Sequence, residues 1–139
     1  MPFYTYPFDE DKLVRVPAIL GEHKRTLIVK ALIDTGADCI FIDSSLADYL
    51  ELERLETLDV GAAGGALRVE KTNLDFVSVI SEDFKEGITQ ENFVAFIVKN
   101  LGEEVVVGNS FFQGNCKLIF DYVKMQLIIE GNWEALRYE

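Results

Sequence analysis

Along most of this chain apolar and polar residues alternate with the period of two that belongs to half-buried strands. Between Lys12 and Leu20 the apolar positions include Val14, Val16 and Ala18, and a second run from Thr26 to Ile33 ends abruptly on Asp34. The polar stretch Gly21-Glu22-His23-Lys24-Arg25 between them predicts a hairpin that delivers Asp34 at its end. Cys39-Ile40-Phe41-Ile42 reads as a short apolar strand. At Asp43-Ser44-Ser45 the period changes to that of a helix. Asp43, Ser44 or Ser45 is its candidate cap, and Asp48, three residues beyond Ser45, makes an approximate capping box. Leu46, Tyr49 and Leu50 then share one face, which predicts their burial.

Arg54 to Val60 and Leu67 to Lys71 alternate on either side of Gly61-Ala62-Ala63-Gly64-Gly65, so the glycine cluster is the tip of a hairpin. It is no phosphate loop, because the lysine and the serine or threonine that such a loop needs are missing. Asn73 to Ile80 and Asn92 to Val98 are predicted strands, with Ser81 to Glu91 an acidic surface loop between them. Cys116 to Asp121 and Lys124 to Glu130 form a final hairpin around Tyr122-Val123. Phe3, Tyr4, Tyr6 and Phe8 predict an N-terminal strand covering the edges of the core, the alternative being an arm packed on the body or on a partner. The tail from Gly131, with Trp133, Leu136 and Tyr138, is a helical turn or an interface strand, and its pattern does not choose between them.

Composition narrows the class. A chain of 139 residues suits one domain spanning residues 1–139, and 49% apolar content with 10 Phe supplies a core and argues against disorder. The net charge of −11, with no basic cluster longer than His23-Lys24-Arg25, argues against nucleic acid as a partner. The same acidity makes two copies repel at low salt. No run of apolar residues is long enough to span a membrane and the N-terminus lacks a signal-peptide pattern, so the expectation is a soluble, cytoplasmic protein with no membrane partner. Cys39 and Cys116 are read as reduced thiols. The single His23 lies in a turn and reads as solvated, and the absence of ligand spacing predicts neither a metal site nor a cofactor.

The candidate chemistry sits at Asp34-Thr35-Gly36-Ala37-Asp38. A carboxylate at the end of an apolar strand is expected to be buried or half-buried only where something compensates it. Thr35 brings a hydroxyl that donates and accepts, and Gly36 permits a tight turn and close approach of another chain. This loop resembles the active-site loop of retroviral-type (retropepsin-like) aspartic proteases. So does the order of what surrounds it: the strand Cys39 to Ile42, the capped helix, the glycine-rich hairpin Val60 to Ala66 in the place of the family's flap, and Val105-Val106-Val107-Gly108 in the place of its hydrophobic-hydrophobic-glycine strand. The likeness runs from about residue 13 to residue 130. It implies an all-β, closed barrel-like acid protease fold with one or two short helices, the second at Asn109 to Gln113.

The resemblance implies an aspartic endopeptidase acting on extended peptide or protein substrates. One Asp34 cannot act as acid and base at once, and the chain carries a single such loop, so the expectation is a homodimer. Two carboxylates roughly 3 Å apart at an effective dielectric of ~20 repel by about 5 kcal/mol, so the pair retains one proton. By the family's pattern Thr35 bonds the opposite loop and Gly36 makes room for substrate. Ala37 and Asp38 line the cleft, and Gly61, Ala62, Ala63, Gly64 and Gly65 close over the peptide. Side-chain preference is assigned to Phe41, Ile42 or Val107. The chain departs from the pattern at Asn109, where retroviral enzymes carry an arginine that pairs with the acid equivalent to Asp38, leaving Arg15 or Arg25 as candidate partners. The alternative reading is a catalytically silent peptide-binding or dimerisation module on the same fold.

Overall fold

A computed structural model describes residues 2–62 and 65–136. Its strands are β1 (Phe3–Pro7), β2 (Arg15–Glu22), β3 (Arg25–Ile33), β4 (Ile40–Asp43), β5 (Glu56–Ala62), β6 (Gly65–Ile80), β7 (Glu86–Val98), β8 (Val105–Val107), β9 (Cys116–Asp121), β10 (Gln126–Gly131) and β11 (Glu134–Ala135). Two short helices interrupt them, α1 (Ser44–Tyr49) and α2 (Asn109–Phe112). Eight strands lie in the order β11-β7-β4-β8-β3-β2-β6-β5. Because β6 also pairs along β7, the six strands from β7 to β6 close into a barrel. The expected all-β barrel with two short helices is what the chain adopts.

The core follows from the alternation. Val16, Ala18 and Leu20 of β2, Val29 and Ala31 of β3, Ile40 and Ile42 of β4 and Val105 and Val107 of β8 all point into the barrel. The three-residue strand β8 is what positions the loop at Asp34. It lies between β3, with which it pairs in parallel from Ala31↔Val105 to Ile33↔Val107, and β4, with which it pairs antiparallel. The chain leaving β3 therefore has to arch over the end of β8 to reach β4, and residues 34–39 are that arch.

A separate sheet in the order β1-β10-β9 carries the terminal segments. The N-terminal residues form the strand rather than the arm: β1 pairs with β10, and fully buried Tyr6 donates its hydroxyl to the Ile80 carbonyl at 2.7 Å. Tyr4 bonds the Glu86 carboxylate and packs edge-on to Trp133, and that bond pushes its phenol up to about 12. Trp133 is buried with Nε1 donating to the Ile129 carbonyl. The tail resolves as a two-residue strand on the edge of β7, while Tyr138 lies outside the described residues.

Three expectations are corrected. Ser81 to Glu91 is not a loop: the turn closes within Ser81 to Lys85, and β7 begins at Glu86. Thr89 and Glu91 occupy the solvent side of a strand whose other side buries Ile88, and Ser78 and Thr89 share a cross-strand hydroxyl bond of 2.6 Å. Of the face expected on α1, Leu50 at its C-cap is buried and Leu46 packs against the core, joined by Ala47, but Tyr49 is exposed beneath the Arg25 guanidinium, 5.5 Å from its ring centre. A six-residue helix presents only one narrow stripe to the core, and the strand before it decides which. Nor is there a capping box. Asp43 alone caps, accepting from Ser45 N and Oγ with one oxygen and from Leu101 N with the other, whereas Asp48 takes the Arg54 guanidinium.

Candidate active site

Asp34 leaves the barrel directly after Ile33, which is still buried. Its own backbone N–H donates to the Val107 carbonyl at 3.1 Å, and its carbonyl accepts from Ala37 N at 3.1 Å, so the peptide unit is pinned on both sides. The side chain is held too, since Oδ1 accepts from the Gly36 N–H at 2.9 Å. A Cβ on Gly36 would stand 3.2 Å from that same oxygen, which is the crowding a glycine avoids. The carboxylate is exposed in the single chain rather than buried or half-buried. It is a fixed, solvent-facing acid at the end of a rigid strand.

What braces the arch is the segment Gly108-Asn109-Ser110. Gly108 N donates to the Cys39 carbonyl at 3.0 Å, Asn109 N to the Ala37 carbonyl at 2.9 Å and Ser110 N to the Asp38 carbonyl at 2.8 Å. The Asn109 side chain adds a fourth bond, its Nδ2 donating to the Thr35 carbonyl at 2.8 Å. Any Cβ at position 108 would fall 2.5 Å from the Ala37 and Cys39 carbonyl oxygens, so this close approach excludes every residue but glycine. Gln90 in turn donates to the Phe111 carbonyl and ties the brace to β7. In the sequence Asn109 showed only as a missing arginine. Its position directly after the glycine was the available signal, but a reach across 74 residues to Thr35 is visible only in three dimensions.

Asp34, Gly36, Ala37, Asp38 and Gly61 border a cleft of about 630 Å³. The rest of its lining is apolar, with Phe41 of β4, Phe96 of β7 and Val106 of β8 along the floor and Val60 and Leu67 from the β5–β6 hairpin above. Phe41 and Phe96 are cross-strand neighbours with ring centres 6.1 Å apart. Ile42 and Val107 are fully buried inside the barrel and do not reach the cleft. A strand turns successive side chains to opposite faces, so Phe41 and Val106 face out where Ile42 and Val107 face in. Gly61 and Gly65 are exposed, no described residue other than a chain neighbour lies within 4 Å of where a Cβ on either would stand, and Ala62 continues the β5 ladder opposite Gly65. Ala63 and Gly64 fall outside the described residues.

Neither Arg15 nor Arg25 reaches Asp38. Arg15 is engaged by Glu103 at 2.8 Å, Asp11 at 2.9 Å and Asp9 at 3.0 Å, and its hydrogen bonds hold the Asp11 carboxyl below the usual range. Arg25 donates to the Tyr49 carbonyl and lies at the far end of β3, roughly 30 Å from the loop at strand rise. Among the described residues no cation pairs with Asp38. Cys39 lines the cleft unpaired, its thiol pushed up by burial and by the Asp38 charge, and Cys116 is likewise unpaired and pushed up by burial. His23 is exposed in the β2–β3 turn, 3.3 Å from Asp75. Among the described residues no cluster of His, Cys, Asp and Glu has the makings of a metal site, and no helix is long and apolar enough to cross a membrane.

A family model described as "gag-polyprotein putative aspartyl protease" matches residues 24–114. No curated protein matches the chain by sequence. Among solved structures, a retropepsin-like aspartic protease from Rickettsia conorii superposes with a TM-score of 0.67 at 17% identity, covering 98% of this chain and 94% of that one. The retroviral protease-like domain of Ddi1 from Leishmania major gives 0.55 at 18% identity, covering 90% and 94%. EIAV protease in complex with the inhibitor HBY-793 gives 0.50 at 16% identity, covering 76% and 90%.

Proposed function

Since the chain belongs to this gag-polyprotein aspartyl protease family, we propose that it is a homodimeric aspartic endopeptidase that hydrolyses peptide bonds in extended polypeptide. The observation that carries the proposal is the Asp34 carboxylate, fixed by the Gly36 N–H at 2.9 Å and presented to solvent at the edge of an apolar cleft. A fixed, exposed acid that has no second acid of its own kind is half of a catalytic pair.

In the dimer Asp34 faces the partner subunit's Asp34 across a two-fold axis at about one water's distance. As in the aspartic-protease dyads already known to share one proton, mutual repulsion leaves one carboxylate ionised and one protonated. The ionised group takes a proton from the water between them, the water oxygen bonds to the scissile carbonyl carbon, and the protonated group gives its proton to the carbonyl oxygen. Collapse of the resulting diol expels the amine, which leaves with a proton, and no covalent enzyme intermediate forms. Thr35, whose carbonyl is fixed by Asn109, presents its hydroxyl to the opposite loop, and Gly36 leaves room for the peptide. Ala37 and Asp38 line the peptide's path, and the hairpin from Gly61 to Gly65, with Ala62, Ala63 and Gly64 at its tip, closes over it through main-chain bonds. The apolar floor at Phe41, Phe96 and Val106 takes large apolar side chains.

The test is Asp34→Asn, which keeps the shape and removes the ionisable acid. Cleavage of an unfolded polypeptide should disappear while the dimer persists in sedimentation, and a variant cutting as fast as its parent would refute the mechanism. A second reading, a silent peptide-binding module, is favoured by the lack of a cation beside Asp38 among the described residues. It requires peptide binding without turnover between about pH 3 and pH 8, the range over which a carboxylate pair works.

A further inference from the structure

The outward surface that floors the cleft does not end at Phe41 and Val106. Two residues further along the same faces stand Asp43 on β4 and Glu104 just before β8, held side by side because the Asp43 N–H donates to the Glu104 carbonyl at 3.1 Å. From there the surface continues sideways. The Lys30 N–H of β3 lies 3.4 Å from a Glu104 carboxylate oxygen, and Lys30 in turn pairs with Pro17 of β2. Two adjoining hollows, of about 530 Å³ and about 400 Å³, occupy this ground and share Arg15, Lys30 and Glu104. The first is walled by Asp43 and by Gly102 and Glu103, whose neighbour Leu101 lines the cleft; the second runs over Pro17 and Ile28 toward Glu82. Cleft and hollows form one path.

We propose that this path is an exosite for the flank of the substrate: an extended stretch bearing lysine or arginine, with an apolar side chain over Ile28, lies along it while the cleft holds the scissile bond. The inference rests on the endopeptidase reading above and names the class of substrate that reading leaves open. Ile28 is 59% exposed in mid-strand, an apolar step on an otherwise charged surface. Around it stand five carboxylates, Asp9, Asp43, Glu82, Glu103 and Glu104, against two cations, Arg15 and Lys30. The Arg15 charge is already spent, because Asp9, Asp11 and Glu103 share its one guanidinium within 3.0 Å. The surplus is negative, so a cationic flank is drawn to the path and an acidic one is repelled. Reach agrees with this occupant. Leu32 stands opposite Val106 and Ile28 lies four residues back along β3, which puts Ile28 roughly 14 Å from the cleft floor, a span of about four extended residues. Such a stretch turns about two side chains to the surface, enough for one apolar contact and one cation.

The experiment uses two fluorescent peptides with the same core of Phe and Val, one flanked at both ends by alternating lysine and leucine, the other by alternating serine and leucine. Binding is read by anisotropy on Asp34→Asn, and cleavage as kcat/KM on the parent. Asp34→Asn should bind the lysine-flanked peptide about tenfold more tightly, as a few exposed ion pairs would give, and the gain should vanish when salt is raised to about 0.5 M. In the same background Glu82→Lys with Glu104→Lys should erase the preference, while Ile28→Ser should weaken both peptides several-fold. Glu91→Lys with Glu134→Lys changes the net charge equally but outside the path, and should keep the preference. All four glutamates are exposed, so neither pair disturbs the fold, and a thermal melt checks that. Equal binding of the two peptides, a preference that survives the first pair, or one that disappears with the second overturns the exosite. If both peptides bind and are cut equally while Asp34→Asn cuts neither, the exosite fails and the endopeptidase reading stands. If the preference follows the variants as described but the parent cuts neither peptide, the binding path stands and that reading fails.

Discussion

Asn109 shows how one side chain can take over part of another's work. Its neutral amide reaches the Thr35 carbonyl at 2.8 Å and so restrains the loop from below, but it supplies no charge to Asp38. We expect Asn109→Ala to lower kcat/KM by about 10- to 100-fold through small displacements of the Asp34 loop. The same substitution should cost only about 1 kcal/mol of stability, the net worth of one hydrogen bond. Steady-state kinetics beside a denaturant titration separates the two, and a loss of activity that merely tracks unfolding would show that the brace is structural only. At this scale the sequence was legible where chemistry is local: Asp34, Thr35 and Gly36 are neighbours, and the Gly36 N–H bonds the side chain two residues earlier. It was not legible for Asp38, because Arg15 is captured by carboxylates as far away as Glu103.

Elements were legible in proportion to how much of their pattern is their own. The β2–β3 hairpin was read nearly to its ends, since alternation and a polar turn suffice to specify it. The start of β7 was hidden because Thr89 and Glu91 lie on its wet face and, with Glu86 before them, look like a loop. Helix α1 was read as a helix, and on the face expected to be buried Leu50 and Leu46 do meet the core while Tyr49 does not. Its cap yields a pH prediction. Hydrogen bonds from Ser45 and from the Leu101 N–H hold the Asp43 carboxyl below its ordinary value of 3.8, so protons bind it less readily in the folded than in the unfolded chain. The stabilisation is therefore present above that ordinary value and is lost as pH falls through the lower folded-state value. Asp43→Ala should cost about 1 kcal/mol near neutral pH, the usual worth of such a cap, and should flatten the acid limb of a stability-versus-pH curve. An acid limb identical to the parent's would place the linkage elsewhere.

For the whole molecule the governing quantity is charge. Two protomers of −11 each must approach closely if their Asp34 carboxylates are to meet. Raising salt from about 0.02 M to about 0.5 M shortens the screening length from roughly 20 Å to under about 5 Å, so the dimer should tighten several-fold. Sedimentation across that salt range checks it, and weakening with salt would mean that attractive pairs dominate the contact. Barrel closure belongs to this scale as well. It depends on β6 being long enough to pair with β5 and β2 along one edge and with β7 along the other, and the sequence divided that strand in two around Thr72.

By itself the sequence determined the period of most strands, the barrel class, the family likeness and the identity of the acid on which a proposed mechanism turns, because all of these are set by residues close together in the chain. Only the tertiary structure decided which face of each strand lines the cleft, which donor braces Thr35 and which cations are already taken. Those depend on register and on contacts between residues many positions apart. A shift of one residue along a strand reverses every side chain on it, and local composition alone cannot detect such a shift.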